Sequence, residues 1–516
     1  MRTENNYVIQ MKDINKIYGS IKALDNMSID IKKGTVHAIL GENGAGKTTL
    51  MNILYGLYPP DSGKIFINGQ ETNIKNSNCA IQKGIGMVHQ HFMLIENFTV
   101  TENIILGMET TNKLGILNMS KAREKVKRIS QEYGLNIDLN KKIRNMPVGM
   151  QQKVEILKAL YRNIDILILD EPTAVLTPLE IESLKRIIKK LSNKGKTVII
   201  ITHKLNEIKE MADECTIMRK GKFICKHKVD EISKEELAES MMGRHVKLSI
   251  DKIKHEYGKV MFEIESLTVL DRHKKEVIRD LSLKIRAGEI LGIAGVTGNG
   301  QEELIKAITG QINSKSGLIK INGKEIQNKN PREIIDNKIS VIYEDRHKDG
   351  IVLDFNVLEN AIMKSYKNKP LSDCGIVNEK EVSKFTDKLI NDYQIQPKDC
   401  KKERIRSLSG GNQQKLVIAR ELSSNPDLLI AVQPTRGLDI GAIEYVHKML
   451  MNLRDKGKAV LLFSLELDEI INISDRISVL YNGEIVGTFE TDDPICNERS
   501  IGAMMAGIKI KEGRYD

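Results

Sequence analysis

The chain repeats itself. Ala38-Ile39-Leu40-Gly41-Glu42-Asn43-Gly44 returns as Gly292-Ile293-Ala294-Gly295-Val296-Thr297-Gly298, an offset of 254 from Gly41 to Gly295. Gly149-Met150-Gln151-Gln152-Lys153 returns as Gly411-Asn412-Gln413-Gln414-Lys415, and Pro172-Thr173 as Pro434-Thr435, both at an offset of 262. A fixed period with small drift is the mark of one domain duplicated. It restricts the 516 residues to two copies of one fold, in keeping with the length at which a single core divides. The expected division is a first domain over 1–246, a polar linker over 247–258 and a second domain over 259–516. Within each copy short apolar strands alternate with helical stretches. Val36–Leu40, 164–169 and Thr197–Ile201 read as buried strands. The alternation predicts an α/β domain with a largely parallel sheet.

Composition narrows the setting. Hydrophobic residues make up 41% of the chain, enough for packed cores, yet no run approaches the ~20 apolar residues of a spanning helix. The start, Met1-Arg2-Thr3-Glu4-Asn5-Asn6, is polar and leads into no apolar secretory core, so no signal peptide is expected. Six scattered cysteines without a CxxC pair predict reduced thiols rather than disulfides or zinc ligands. The net charge of +10 raises nucleic acid or an anionic membrane as partners. The lysines are spread over stretches such as Lys121 to Lys127, however, and read as a solvated face.

The first copy carries chemistry. Gly41-Glu42-Asn43-Gly44-Ala45-Gly46-Lys47-Thr48 fits G-x-x-x-x-G-K-[ST] at each position, followed by Thr49. It lies between the strand Val36–Leu40 and a helix expected over 48–55, the context the motif requires. Glycines let backbone N–H groups encircle phosphates, and the helix start adds positive potential. Lys47 is expected on the terminal phosphates and the Thr48 hydroxyl on Mg2+. Further along, Ile166-Leu167-Ile168-Leu169-Asp170-Glu171 ends a buried strand in two acids. Behind a phosphate loop, Asp170 suits Mg2+ and Glu171 suits the orientation and deprotonation of an attacking water. His203, ending another strand, fits a γ-phosphate contact, and Gln90 in Val88-His89-Gln90-His91 fits a Mg2+ and water contact. Tyr18 is either a stacking platform for a nucleobase or an ordinary surface aromatic.

The order of parts, duplicated, resembles the ATP-binding-cassette family over nearly the whole chain, and the tandem layout is similar to the fused ATPase subunits of bacterial sugar and nucleoside importers. The resemblance implies two tandem P-loop NTPase domains, each with a RecA-like sheet core, an antiparallel β part and a helical signature subdomain. It implies ATP and Mg2+ as cofactors. The implied partners are two integral membrane permeases and, indirectly, an extracellular substrate-binding lipoprotein, with no nucleic acid. It also places the chain peripherally on the cytoplasmic face of the membrane. Gly86-Met87-Val88-His89-Gln90-His91-Phe92-Met93-Leu94, the stretch Val148 to Leu157 and Ala431-Val432-Gln433-Pro434-Thr435-Arg436-Gly437-Leu438-Asp439 resemble the nucleoside branch rather than the simple-sugar branch. The rival of another class is a soluble tandem cassette protein acting on ribosomes. That group typically keeps both catalytic glutamates and joins its halves by a long charged helical linker. Here one glutamate is absent and the join is short.

The second copy departs from the first, and its departures agree with one another. Gln301 and Glu302 stand where the first copy has Lys47 and Thr48, Glu344 replaces Gln90, Val432 and Gln433 replace Asp170 and Glu171, and Leu465 replaces His203. The signature tells the opposite story. Ser409-Gly410-Gly411-Asn412 keeps a hydroxyl and free amides at a helix start, whereas the first copy has Pro147-Val148 there, with no hydroxyl and no room. Family members sandwich ATP between the phosphate loop of one half and the signature of the other. The resemblance therefore implies one working ATP site, with Ser409, Gly410, Gly411 and Asn412 completing the first copy's loop, and one degenerate site.

Overall fold

The computed structural model describes residues 6–515 other than 20, 91, 112–114, 174–175, 177, 203, 246–251, 253–255, 297, 506, 509 and 512–513. The chain divides into two compact units, Met1–Lys247 and Leu248–Asp516. The first is built on a six-stranded sheet ordered Lys222–Lys228, Glu214–Arg219, Val36–Leu40, Thr197–Ile201, Ile166–Asp170, Ile85–Val88. All neighbours run parallel except the antiparallel edge strand Lys222–Lys228. Four of these strands are buried at every residue, which calls for apolar side chains on both faces. Alternation then sorts them. Leu167, Leu169, Val198 and Ile200 join the helices Val148–Tyr161 and Pro178–Asn193 in one core. Ile166, Ile168, Ile199 and Ile201 join the helix Lys47–Leu54 and the antiparallel strands in the other.

Those antiparallel strands form a four-stranded sheet, ordered Ile21–Lys32, Tyr7–Tyr18, Ser62–Ile67, Gln70–Glu71. A helical part, Val100–Ile105 and Met119–Tyr133 against Val148–Tyr161, completes the unit. The second unit repeats the plan. Its core sheet runs Ile339–Ile342, Leu428–Val432, Ala459–Ser464, Ile290–Ala294, Arg476–Tyr481, Glu484–Glu490, the same sequence of roles read from the other edge. Its antiparallel sheet is Glu276–Arg286, Val260–Leu270, Ser314–Ile321, Lys324–Glu325. Its helical part is Val357–Ile362, Glu379–Asp392 and Gly410–Ser423.

Local differences from the sequence reading have local causes. The helix expected over 48–55 runs Lys47–Leu54, because Gly46 takes φ 94° and turns the loop directly into the first helical residue. The strand expected from 164 starts at Ile166, since Asn163 adopts a positive φ of 55° and Ile164 buries its side chain before the sheet begins. All six cysteines are free thiols. Within the stretch read as a linker, Lys252 is fixed to the second unit, donating to the Ile471 and Ser474 carbonyls at 2.8 and 2.5 Å.

Candidate nucleotide site

In the first unit the phosphate loop sits between the sheet and the helix Lys47–Leu54. Gly46 is required there twice over. Its φ of 94° lies in the left-handed region, and a Cβ would stand 2.6 Å from the Ala23 carbonyl oxygen. That close approach sets the loop beside the strand Ile21–Lys32, whose Ile21 pairs with Tyr18. Tyr18 is 42% exposed, meets Tyr58 at 82° with ring centroids 6.0 Å apart, and has Lys16 Nζ over its ring, 5.7 Å from the centroid. Asn43, Gly44 and Thr48 are exposed, while Ala45 and Lys47 are buried.

Lys47 folds over its own loop, Nζ donating to the carbonyls of Gly41 at 2.7 Å and Glu42 at 2.9 Å. Those carbonyls hold the ammonium in the loop, ready to turn to a stronger acceptor. The Thr48 hydroxyl donates to the Asp170 carboxylate, so two residues 122 positions apart in number form one oxygen-rich corner. Burial pushes the Asp170 carboxyl up to about 6, the Glu171 charge adds to it, and the Thr48 hydrogen bond and Lys47 oppose it. Hydroxyl and carboxylate oxygens are the hard donors Mg2+ takes, and Mg2+ completes its shell with phosphates and water. Among the described residues no group of three His, Cys, Asp or Glu gathers to hold a metal.

Glu171 follows the strand on a strained turn, with φ 45° and its N–H donating to the Ile201 carbonyl at 2.9 Å. This aims the side chain off the sheet end. Gln90 Nε2 donates to Glu171 Oε2 at 2.8 Å, so the glutamine and the second acid are in direct contact. His203 lies outside the described residues.

The second unit keeps this scaffold and loses the groups on it. Gly300 has φ 99° with Val277 O where a Cβ would be 2.6 Å away, and Gln433 has φ 43° with its N–H on the Phe463 carbonyl at 2.7 Å. Gln301 cannot replace an ammonium, and its Nε2 is buried without a hydrogen-bond partner. Glu302 pairs with Lys306 at 2.5 Å, Glu344 pairs with Arg436, Val432 is buried in the core and Leu465 is half-buried.

The signature segments differ in capping. Ser409 caps the helix Gly410–Ser423, its Oγ accepting from Asn412 N at 3.4 Å and Asn412 Nδ2 at 3.0 Å. Pro147 begins Val148–Tyr161 with no side-chain cap, and Val148 is 44% exposed. Two residues not singled out from the sequence tie each signature helix to its acid loop. Buried Gln152 donates to the Pro172 carbonyl, and Gln414 to that of Pro434 at 2.8 Å. Their signal was present in the repeat, where both pairs recur at the same offset of 262.

Residues 24–174 and 278–436 match the family model described as ABC transporter. The chain is 51% identical over 506 residues to the guanosine import ATP-binding protein NupO of Bacillus subtilis (strain 168), with 98% of each chain covered. It is 47% identical over 508 residues to the nucleoside import ATP-binding protein NupA of Lactococcus lactis subsp. cremoris (strain MG1363), covering 98% of this chain and all of that one. Among solved structures, a crystal structure of archaeal ribosomal stalk protein aP1 with archaeal ribosome recycling factor aABCE1 aligns at a TM-score of 0.63. That alignment covers 95% of this chain and 91% of that one at 20% identity. At that identity the likeness speaks to the fold alone.

Proposed function

The chain belongs to the ABC transporter family, and on that premise we propose that it is the ATP-hydrolysing subunit of a membrane importer for nucleosides. The observation that carries the reading is the near-full-length identity of 51% and 47% to guanosine and nucleoside import ATP-binding proteins. Among the described residues no helix is long and apolar enough to cross a membrane, so the transport path belongs to permease subunits. We place the chain on their cytoplasmic face. Exposed Met93, Ile95 and Phe98 follow directly on Gln90 and suit contact with an apolar partner surface.

In this reading the first unit binds ATP. The loop amides and Lys47 take the phosphates, Tyr18 the base, and Thr48, Asp170 and Gln90 supply oxygens to Mg2+. When bound, Mg2+ neutralises charge on the β- and γ-phosphates. Glu171 orients a water in line with the γ-phosphorus and accepts its proton as the new P–O bond forms and the bond to the β-phosphate oxygen breaks. The hydrogen bond from Gln90 to Glu171 supports this role, since it fixes the carboxylate beside the glutamine. In the second unit the signature Ser409-Gly410-Gly411-Asn412 presents a capped helix start whose amides suit a phosphate. ATP binding, hydrolysis and product release work the permease by alternating access.

The test is uptake of labelled guanosine, other nucleosides and ribose by cells lacking this chain, complemented with the natural sequence or with Glu171→Gln. Nucleoside uptake should be lost and restored only by the natural sequence. Loss of ribose uptake with nucleoside uptake intact would overturn the substrate assignment. Recovery of ribosomes rather than permeases with the chain from detergent extracts would overturn the importer.

A further inference from the structure

The loop that carries Gln90 is supported at both ends within the first unit. It leaves the strand Ile85–Val88, which pairs with the strand that bears the acids. Beyond Gln90 its backbone is tied three times to the helical part. Asn103, buried on the helix Val100–Ile105, accepts from Ile95 N at 2.7 Å and donates to Ile95 O at 3.0 Å. Lys158 Nζ donates to Met93 O at 3.1 Å. Glu155 Oε1 accepts from Met93 N at 2.8 Å. Glu155 and Lys158 both belong to the helix Val148–Tyr161. The Met93 side chain is 68% exposed, so these bonds hold the backbone while the side chain stays open to a partner.

The second unit keeps two of the three ties. Asn360 accepts from Val352 N at 2.9 Å and donates to Val352 O at 3.1 Å, the same residue pair at an offset of 257. Arg420 takes the place of Lys158 at an offset of 262 and donates through Nη2 to the Gly350 carbonyl at 2.8 Å, Gly350 lying 257 beyond Met93. The third tie is gone. Val417 stands where the first unit has Glu155. It is buried in the core, with Cγ2 3.8 Å from the position a Cβ on Gly350 would take. Glu344, in the place of Gln90, pairs with Arg436. The extra tie therefore belongs to the unit whose loop glutamine meets an acid, and the fold of the loop does not require it.

Keeping it has a cost. Glu155 is buried, and burial pushes its carboxyl up against the opposing pull of Lys158 at 3.8 Å, the Met93 N–H and Arg162. A carboxylate is costlier to hold there than the valine that fills the same place in the second unit. What it secures is position. Three residues reach at most about 11 Å, so an anchor on Met93 restricts where Gln90, three residues earlier, can stand. We propose that Glu155 is a positioning residue for ATP hydrolysis, which fixes the Met93 backbone and thereby seats Gln90 on Glu171. This rests on the reading in which Glu171 is the base, and the effect of Glu155 passes through Gln90.

The test measures kcat and KM for ATP in the full chain for Glu155→Val, the residue of the second unit, and for Glu155→Gln, whose amide oxygen can still accept from Met93 N. Both are made in the natural chain and in Gln90→Ala, with Glu171→Gln as the control on the base. Glu155→Val should lower kcat about tenfold, the order of losing one hydrogen bond to a charged group, with KM within about twofold. Glu155→Gln should stay within about threefold of the natural chain. In the Gln90→Ala background the step to valine should cost less than about twofold, because the group it positions is already absent. Any of three results would overturn the role: valine within about threefold of the natural chain, equal losses for valine and glutamine, or the same loss with and without Gln90. A rise in KM with kcat unchanged would overturn it as well, by pointing to nucleotide binding. If Glu171→Gln turns over like the natural chain, it is the reading of the base that fails. Should Glu155→Val not fold, Glu155→Leu, closer in volume to glutamate, replaces it in every arm.

Discussion

Asp170→Asn should make the first unit more stable while destroying its activity. Asp170 is 5% exposed, and burial of its carboxyl, with Glu171 beside it, pushes it up from 3.8 to about 6. The folded chain thus binds this proton more tightly than the unfolded chain does. Between pH 3.8 and 6 the native state holds more protons, and stability falls as pH rises through that window. Above it the full cost is present. At about 1.4 kcal/mol for each tenfold change in proton affinity, this comes to about 3 kcal/mol at pH 7.5 and about half that at pH 5. Asparagine has nearly the same shape, carries no charge and can still accept the Thr48 hydrogen bond, so it removes the cost without opening a cavity. For a unit of this size the gain corresponds to about 6–12 °C in Tm. The assay is calorimetry of nucleotide-free, Mg2+-free protein at pH 7.5 and pH 5, following the first unit's transition in the natural chain and in Asp170→Asn. His37 is buried and held down to about 3, so it makes the fold less stable as pH drops below its unfolded value near 6.5, but equally in both proteins, and cancels in the difference. An Asn variant no more stable than the natural chain at pH 7.5, or a gap that does not shrink at pH 5, would refute the reasoning.

Glu171→Gln should lower ATP turnover by about 10²–10⁴ with ATP binding retained, checked by turnover and by equilibrium binding of labelled ATP. Gln433→Glu alone should restore no measurable turnover to a chain already carrying Glu171→Gln, because Gln301, Glu302 and Val432 still lack the phosphate charge and metal oxygens; the same turnover assay reads it. Gly46→Ala and Gly300→Ala should cost each unit a similar amount, about 1–3 kcal/mol from backbone strain alone, measured by thermal melts. Unequal costs would show that the second loop has relaxed along with its chemistry.

Much of this protein was legible from the chain alone. The duplication, the phosphate loop, the acid pair and the substitutions that disable the second copy are runs of adjacent residues, and their meaning lies in spacing along the chain. The buried strands were legible for a similar reason, since a short, mostly apolar run such as Ile39's or Ile168's has few other places to go. The tertiary structure decided what depends on distance through space. It set Gln90 on Glu171 across 81 positions, Gln152 on Pro172 and Glu155 on Met93. It also fixed the raised proton affinity of Asp170, because a pKa follows burial and neighbouring charge, neither of which a linear motif records. The repeat shows that two copies exist and which parts are broken. Only the fold shows that the backbone turns at Glu171 and Gln433 are the same strained turn, kept in both because the parallel sheet on either side determines them whichever side chain they carry.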